Sequence, residues 1–152
     1  MRDEVDASAD AIWDAVGSVS SRDLGTVERQ PHTEAEWVAV RQHAVVLLES
    51  SNLLLIPARK VAAAPFAADG PGVYSSAQIQ DRLDNHRSEF DALALGLRAV
   101  AGSVLAAIDA RNPQALQAAG GELDAACEAC HLANWYPNQV IPQLPQEPPA
   151  PP

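Results

Sequence analysis

The most constraining feature of the chain is a long apolar register in its second half, between residues 79 and 104. Apolar positions, with one histidine among them, recur there at alternating steps of four and three residues. The register comprises Ile79, Leu83, His86, Phe90, Leu93, Leu97, Val100 and Val104. Because residues three and four apart share a helix face, this unbroken register predicts one long helix from about Ser75 or Ser76. Its seam is expected to pack against antiparallel neighbours.

Two further helices are predicted before this one. The first runs from about Asp3 to Val19, with apolar residues recurring at steps of three and four. The second begins at Thr33, where Glu36 stands three residues later and predicts a capping box. Pro57 ends this second helix, because proline supplies no backbone N–H.

A fourth helix is expected from Asn112-Pro113 to about residue 136, since proline suits the first helical position. Gly120-Gly121 allows another helix or a cofactor to approach its middle closely. Residues 57 to 75 are rich in proline and glycine and predict a linker that crosses over one end of a bundle. Residues 137 to 152 contain seven prolines and predict a disordered or polyproline-like tail after a domain spanning residues 1 to 136.

Composition and charge exclude several classes of partner. Apolar residues make up 47% of the chain but aromatic residues only 5%, which favours helices rich in alanine and leucine. The formal net charge of -10 argues against binding to nucleic acid or to anionic lipid. It favours solubility, and leaves docking to a basic patch on a redox partner as an alternative. No membrane span is expected, since no stretch reaches about 20 apolar residues.

The motif that carries chemistry lies near the end of the fourth predicted helix. Cys127 and Cys130 are the only cysteines of the chain, and His131 follows directly. This spacing is the attachment pattern of c-type haem, in which each thiol adds to a vinyl group and the imidazole binds iron. On a helix the three side chains share one face. The motif therefore predicts one covalently bound haem c.

Three other interpretations of the cysteines are weaker. A thioredoxin-like redox pair requires a preceding strand, whereas residues 121 to 126 have a helical pattern. A structural zinc site requires four ligands, and no second cysteine or histidine cluster lies nearby. A disulfide between residues three apart on a helix is strained.

Four helices, a crossover after the second, and C-x-x-C-H near the end of the fourth resemble the cytochrome c′ and cytochrome c-556 family over residues 1 to 136. The resemblance implies an all-α, left-handed antiparallel four-helix bundle. It also implies haem thioethers at Cys127 and Cys130, with His131 as the proximal iron ligand. Asn134 and Trp135 depart from the c′ pattern, which commonly has an aromatic residue followed by a basic one at these places.

Members of this family are periplasmic, and homodimers are common among them. Met1-Arg2-Asp3-Glu4 is charged and no apolar export segment follows it. From the resemblance we expect a periplasmic protein. Its export would need a targeting segment, which this chain does not contain.

The sixth iron position separates the two branches of the family. The c′ type leaves it open and binds small gases, whereas the c-556 type fills it with a methionine near the start of the first helix and transfers electrons. Met1 is the only methionine, and an antiparallel arrangement places it at the same end as the haem motif. Met1 is thus a candidate distal ligand, with a loose chain end as the alternative.

Other candidates for contact with haem come from helix geometry. His86 lies less than two turns beyond the level of His131, counting from the turn at Asn112. It is a candidate iron ligand, a propionate partner, or a histidine satisfied in the core. The predicted pocket walls, which ordinary core packing also explains, are Trp13, Phe90, Leu93 and Leu97. The arginines that could pair with propionates are Arg2, Arg82 and Arg87, with solvation at the surface as the favoured alternative for each.

These observations favour a small soluble electron carrier with one haem c and a redox partner protein, and not an enzyme. The alternative is a protein with pentacoordinate iron that binds NO or CO. A third possibility is a helical module without haem that binds a partner through its proline-rich tail. The first two differ in the sixth iron ligand, and the third predicts colourless protein after expression with haem-attachment machinery.

Overall fold

The computed structural model describes residues 2–23, 25–68 and 70–139 of the chain. This described part is mostly helical and also contains one small antiparallel sheet. A π-helical turn, Arg2–Asp6, leads into helix α1, Ala7–Ala15, and then into strands β1, Gly17–Ser21, and β2, Gly25–Arg29. Four helices follow: α2, Glu34–Leu54, α3, Ser76–Asn85, α4, Arg87–Asp109, and α5, Pro113–Asn134. The helical prediction is confirmed, but the all-α description is corrected by the two strands.

The hairpin β1–β2 occupies the place where the first helix was expected to continue to Val19. Gly17 has a φ of +147°, a conformation that favours glycine, and it stops α1 after Ala15. Val19 instead pairs with Val27 across the hairpin, and both are exposed. β-Branched valines fit a pleated strand, so local propensity prevails here over the apolar spacing.

The long helix expected from Ser75 onward is broken at His86. Asn85 donates through Nδ2 to the backbone carbonyl of Asp81 at 2.9 Å and so competes with the helical ladder. His86 has φ -127° and ψ 38°, outside the helical range, and α4 restarts at Arg87. His86 is therefore exposed at a helix break and does not occupy a core seam.

Helix α4 packs between α2 and α5. Arg41 of α2 donates to Asp109 at the end of α4 at 2.7 Å, while Arg87 at the start of α4 donates to the carbonyl of Leu54 at 3.0 Å. These two contacts at opposite ends show that α2 and α4 run antiparallel. The tight turn after Asp109 reverses the chain again, so α5 returns along α4.

Helix α1 closes the core from the other side. Just before it, Glu4 of the π-helical turn accepts from Ser50 of α2 at 3.2 Å. At its C-terminal end, Trp13 donates through Nε1 to the carbonyl of Gly120 in α5 at 2.9 Å. The buried core between these helices is apolar, and its fully buried large side chains include Ile12, Leu47, Val104, Ile108, Leu116 and Leu123. The predicted close approach at Gly120 is confirmed, with the Trp13 ring as the neighbour.

The predicted capping box at Thr33 and the predicted linker are also present. Thr33 and Glu36 form both hydrogen bonds of the box that begins α2. Residues 55 to 75 contain no helix or strand in their described part. This linker returns to the end of α5, where the N–H of Tyr74 donates to the carbonyl of Trp135 at 2.8 Å.

Among the described residues, one helix, α4, is long and apolar enough to cross a membrane, judged by length and composition only. In its most apolar stretch of 18 residues, 33% is buried inside the structure. Its buried face packs on α2 and α5, as in the core helix of a folded domain. Length and composition alone therefore do not distinguish a membrane-spanning helix from a core helix.

The core assignment predicts a large cost for Leu123→Ala. Leu123 is fully buried, so truncation should lower the free energy of unfolding by about 2–5 kcal/mol through lost transfer energy and a cavity. Leu95→Ala on α4 is the matched control, because Leu95 is 49% exposed and its truncation should change stability by no more than about 0.5 kcal/mol. Urea unfolding followed by circular dichroism measures both, and equal effects would contradict the assigned core.

Candidate functional site

The C-x-x-C-H motif lies in the last two turns of α5, where the core face of that helix approaches its end. Leu116, Ala119 and Leu123 form the buried stripe of α5. Cys127 continues that stripe and packs against the core, and Cys130 is also partly buried. His131 lies one residue further and is partly buried as well. The three side chains therefore lie on one side of the helix, at the boundary between core and solvent.

Both cysteines are free thiols in apolar surroundings. Burial raises the pKa of Cys127 to about 11, and the negative charges of Asp124 and Asp6 act in the same direction. Burial also raises the pKa of Cys130, and only the hydrogen bond from Asn134 opposes it. Reactive redox cysteines have lowered pKa values, so these thiols lack the activation of a thiol–disulfide enzyme.

A hydrogen-bonded chain of three side chains holds His131. Its Nδ1 lies 3.1 Å from the phenolic oxygen of Tyr136. That hydroxyl donates to Oε2 of Glu128 at 2.6 Å. A carboxylate can only accept, so the single phenolic proton points to Glu128 and the phenolic oxygen is left to accept from Nδ1–H. The arrangement therefore fixes the proton of neutral His131 on Nδ1 and leaves a lone pair on Nε2.

The end of α5 creates this arrangement. Pro137 disfavours a helical conformation at the preceding residue, so the helix cannot continue through Tyr136. The N–H groups of Trp135 and Tyr136 both donate to the carbonyl of His131, at 2.7 Å and 3.1 Å. This tight closure turns Tyr136 back toward His131, and the Trp135 ring stands edge-on to the imidazole with 5.3 Å between the ring centroids.

Asn134 supports the second cysteine from within the last turn. It is buried, and its Nδ2 donates to the carbonyl of Cys130 at 3.0 Å and lies 3.8 Å from the Cys130 sulfur. A polar side chain at this depth requires such partners. The residue that departs from the c′ pattern therefore has a defined structural role.

A cleft of about 700 Å³ opens along α3 and is lined by Tyr74, Gln78, Arg82 and His86, among others. Tyr74 joins this cleft to the motif, because its backbone bonds to Trp135, which contacts His131. Arg82 donates to Glu89 at 2.7 Å, but its buried Nε has no hydrogen-bond partner among the described residues. An unpaired buried N–H is costly, so this atom marks a place suited to an acceptor.

Several apolar side chains are exposed at the same end of the helices. Ile56 and Phe66 lie in the linker region, and Leu132 and Trp135 lie near the end of α5. Arg87 ties the end of α2 to the start of α4, and the Tyr74 backbone ties the linker to Trp135. The end of the fold that carries the motif therefore offers apolar surface.

The predicted pocket residues lie at different levels. Trp13 contacts Gly120, seven residues and about 10 Å along the helix from Cys127. Phe90 and Leu97 are buried and Leu93 is partly buried on α4, with Arg87 stacked over the Phe90 ring.

The polar side chains that were predicted to contact haem are also spread over different parts of the fold. His86 Nδ1 lies 3.3 Å from Glu89 at the break between α3 and α4. The guanidinium of Arg87 is occupied by Asp91 and by the carbonyls of Leu54 and Ile56. Met1 and the side chain of Arg2 lie outside the described residues, as does the tail from residue 140 onward.

Sequence reasoning did not identify Tyr136 and Glu128 as members of the site. Glu128 stands three residues before His131, a spacing that places both on one helix face. Pro137 marks the helix end that frees Tyr136 to turn back. These two signals were present, but only the folded chain shows that the phenol bridges the two side chains.

Among the described residues, no three histidine, cysteine, aspartate or glutamate side chains converge as a metal-ion site. Haem attachment does not require such convergence, because the thiols bind the porphyrin edge while only the imidazole binds iron. The motif is also preceded by helix rather than by the strand that a thioredoxin-like pair requires.

Comparison of the chain with family models, with curated proteins and with solved structures gave no match.

The raised thiol pKa predicts slow alkylation of Cys127 in haem-free protein. In Cys130→Ala, which leaves Cys127 as the only thiol, iodoacetamide at pH 8 should react more slowly with folded than with urea-unfolded protein. The folded rate should go on rising at pH values above the ordinary thiol pKa of about 9, because burial still raises the pKa of Cys127 when Cys130 is absent. Equal rates in the folded and unfolded states at pH 8 would contradict the burial of this thiol.

The same shift predicts a loss of stability at alkaline pH. The folded-state pKa of Cys127 lies above its ordinary value of about 9, so its stabilising contribution is complete below that pH and is lost as the pH rises through about 11. Between pH 9 and 11 the free energy of unfolding should therefore fall more steeply for wild type than for Cys127→Ala, as measured by urea titration at each pH.

Proposed function

We propose that the chain is a monohaem c-type cytochrome that carries electrons. Cys127 and Cys130 would hold haem c through two thioethers, and His131 would bind its iron. In this proposal α1, α2, α4 and α5 form a left-handed antiparallel four-helix bundle like that of the cytochrome c′ and cytochrome c-556 family. When bound, the haem supplies one-electron exchange between Fe(III) and Fe(II).

The observation that carries the proposal is the state of His131. A ligating imidazole needs a free lone pair on one ring nitrogen and usually donates its other N–H to an acceptor. His131 meets both needs, because Tyr136 accepts from Nδ1 and Nε2 remains available. A solvent-exposed surface histidine has no need for such fixed partners.

The thiols support the same conclusion. Cys127 and Cys130 are neither paired nor activated, and they lie three residues apart on the side of α5 that continues the core stripe. Addition of a thiol across a vinyl group consumes one S–H and one C=C and forms a thioether, with no external oxidant. Both sulfurs are partly buried, so the resulting bonds would lie at the edge of the core, where the apolar interior limits contact with water.

Arg82 fits the polar edge of the same group. Its buried Nε–H lacks an acceptor among the described residues, in a cleft that Tyr74 connects to the motif. A propionate carboxylate would satisfy it. The exposed apolar side chains at this end would in turn be covered by a flat apolar macrocycle, which removes surface from water.

The proposed location of the protein is inferred from the chemistry of haem attachment, and the proposed partner from the charge of the chain. Haem attachment of this type takes place outside the bacterial cytoplasm, so we place the mature protein in the periplasm. The formal net charge of -10 favours a redox partner with a basic docking surface, because opposite charges accelerate the encounter of proteins.

The first test is covalent attachment. Wild-type protein coexpressed with a haem-attachment system should retain its haem through acid-acetone extraction. Cys127→Ala and Cys130→Ala should each keep one thioether, and the double variant should release all haem. Retention of haem by the double variant, or colourless wild-type protein, would overturn the proposal.

A second test concerns iron ligation and separates the two functions. His131→Ala should lose the normal ferrous absorption spectrum, whereas His43→Ala, a change at an exposed position of α2, should not. In wild type, sharp low-spin bands that CO leaves unchanged indicate a filled sixth position and electron transfer. A broad high-spin spectrum that shifts with CO would replace electron transfer with binding of small gases.

A further inference from the structure

The side chains around His131 specify more than its role as a ligand. Glu128, Tyr136 and His131 form a linear chain, with 2.6 Å between the carboxylate and phenol oxygens and 3.1 Å between the phenol oxygen and Nδ1. Each link has one donor and one acceptor. The chain therefore has a direction, from the imidazole N–H through the phenol to the negative charge of Glu128.

A hydrogen bond from Nδ1–H to an acceptor increases electron density on the imidazole ring. The effect grows when the acceptor is itself polarised by a carboxylate, since hydrogen-bond chains polarise one another. A stronger donor at Nε2 favours the more highly charged ferric state of an iron bound there. The oxidised form of the protein would therefore be stabilised relative to the reduced form, which lowers the reduction potential.

We infer that Tyr136, held by Glu128, is a positioning residue that fixes the tautomer of His131 and lowers the reduction potential of the haem iron. This inference rests on the proposed function and adds a means by which this chain sets its potential. Tyr136 does not touch iron and acts only through His131. The whole effect passes through one hydroxyl oxygen.

The surroundings favour transmission through this oxygen rather than through water. Glu128 and Tyr136 are both partly buried, and the closing turn of α5 holds Tyr136 against its own helix. Trp135 covers His131 edge-on at 5.3 Å. With the imidazole partly buried, loss of the phenol oxygen would leave its N–H with a weaker or a shared acceptor.

The test compares Tyr136→Phe with Ser20→Ala in haem-loaded protein. Each change removes one hydroxyl oxygen, but Ser20 lies on the exposed β1–β2 hairpin and bonds to Thr26, whereas Tyr136 bonds to His131. Removing an outer partner of a metal ligand typically changes metal affinity or activity by about tenfold or more. We take the same order of effect for the redox equilibrium, and expect the preference for ferric over ferrous iron to fall about tenfold in Tyr136→Phe, a rise of about 59 mV in the midpoint potential, and to stay constant in Ser20→Ala.

Glu128→Gln and the double variant examine the connection. If the two residues act in series, Glu128→Gln raises the potential by less than Tyr136→Phe, and the double variant matches Tyr136→Phe alone. Additive shifts would contradict a single chain of hydrogen bonds. Thermal unfolding of each variant establishes that the fold is retained.

A measurement without haem keeps the two proposals separate. In haem-free wild type, ¹⁵N chemical shifts of the His131 ring should show the proton on Nδ1, and Tyr136→Phe should show a mixture of tautomers. A mixture in wild type would overturn the positioning role. An unchanged midpoint potential in Tyr136→Phe would overturn the redox consequence, whereas failure of wild type to attach haem would overturn the proposed function and leave the tautomer assignment to the NMR result.

Discussion

Burial of the apolar face of α4 between α2 and α5 is the interaction on which the other contacts depend. Its inward residues Leu97, Val104 and Ile108 are buried. One end of α4 is fastened to α2 by the ion pair of Arg41 with Asp109, and the other by the hydrogen bond from Arg87 to the Leu54 carbonyl. Since α5 follows α4 through a tight turn, the position of α4 also determines how far α5 runs before it reaches the end of the core. The cysteines lie at that boundary because the distance from the turn places them there.

The site itself depends on how α5 ends. A helix that continued past residue 134 would carry Tyr136 around to another face, whereas Pro137 and the two N–H groups bonded to the His131 carbonyl hold it in place. A helix terminus is usually discussed for its unsatisfied backbone groups. Here the terminus also brings the Tyr136 phenol to the imidazole five residues earlier, so the same closure satisfies backbone donors and positions a side chain of the candidate site.

Periodicity predicted the helices and most of the core, because burial of an apolar stripe dominates over local preference along α2, α4 and α5. It failed at Gly17 and at Asn85, where a single residue changes the backbone without altering the spacing of its neighbours. The motif residues were identifiable from covalent chemistry alone. Tyr136, Glu128 and the unpaired Nε of Arg82 were not, since their roles arise from contacts between segments that spacing along one helix does not encode. The tail from residue 140 lies outside the described residues, so its disordered or polyproline-like conformation stays a prediction.

The hydrogen bond from Trp13 to Gly120 joins residues 107 positions apart in the sequence. The hairpin of α4 and α5 closes a far shorter loop, so it has the smaller entropic barrier and is expected to form first. Contact of α1 with α5 is then expected after the α4–α5 hairpin, and Asp6, just before α1, is among the groups that act on Cys127. Until α1 reaches α5, the Cys127 sulfur is more accessible than in the finished fold. The order of chain closure thus gives an interval in which the Cys127 thiol is open to solvent, after the helix that displays it has formed and before the core is complete.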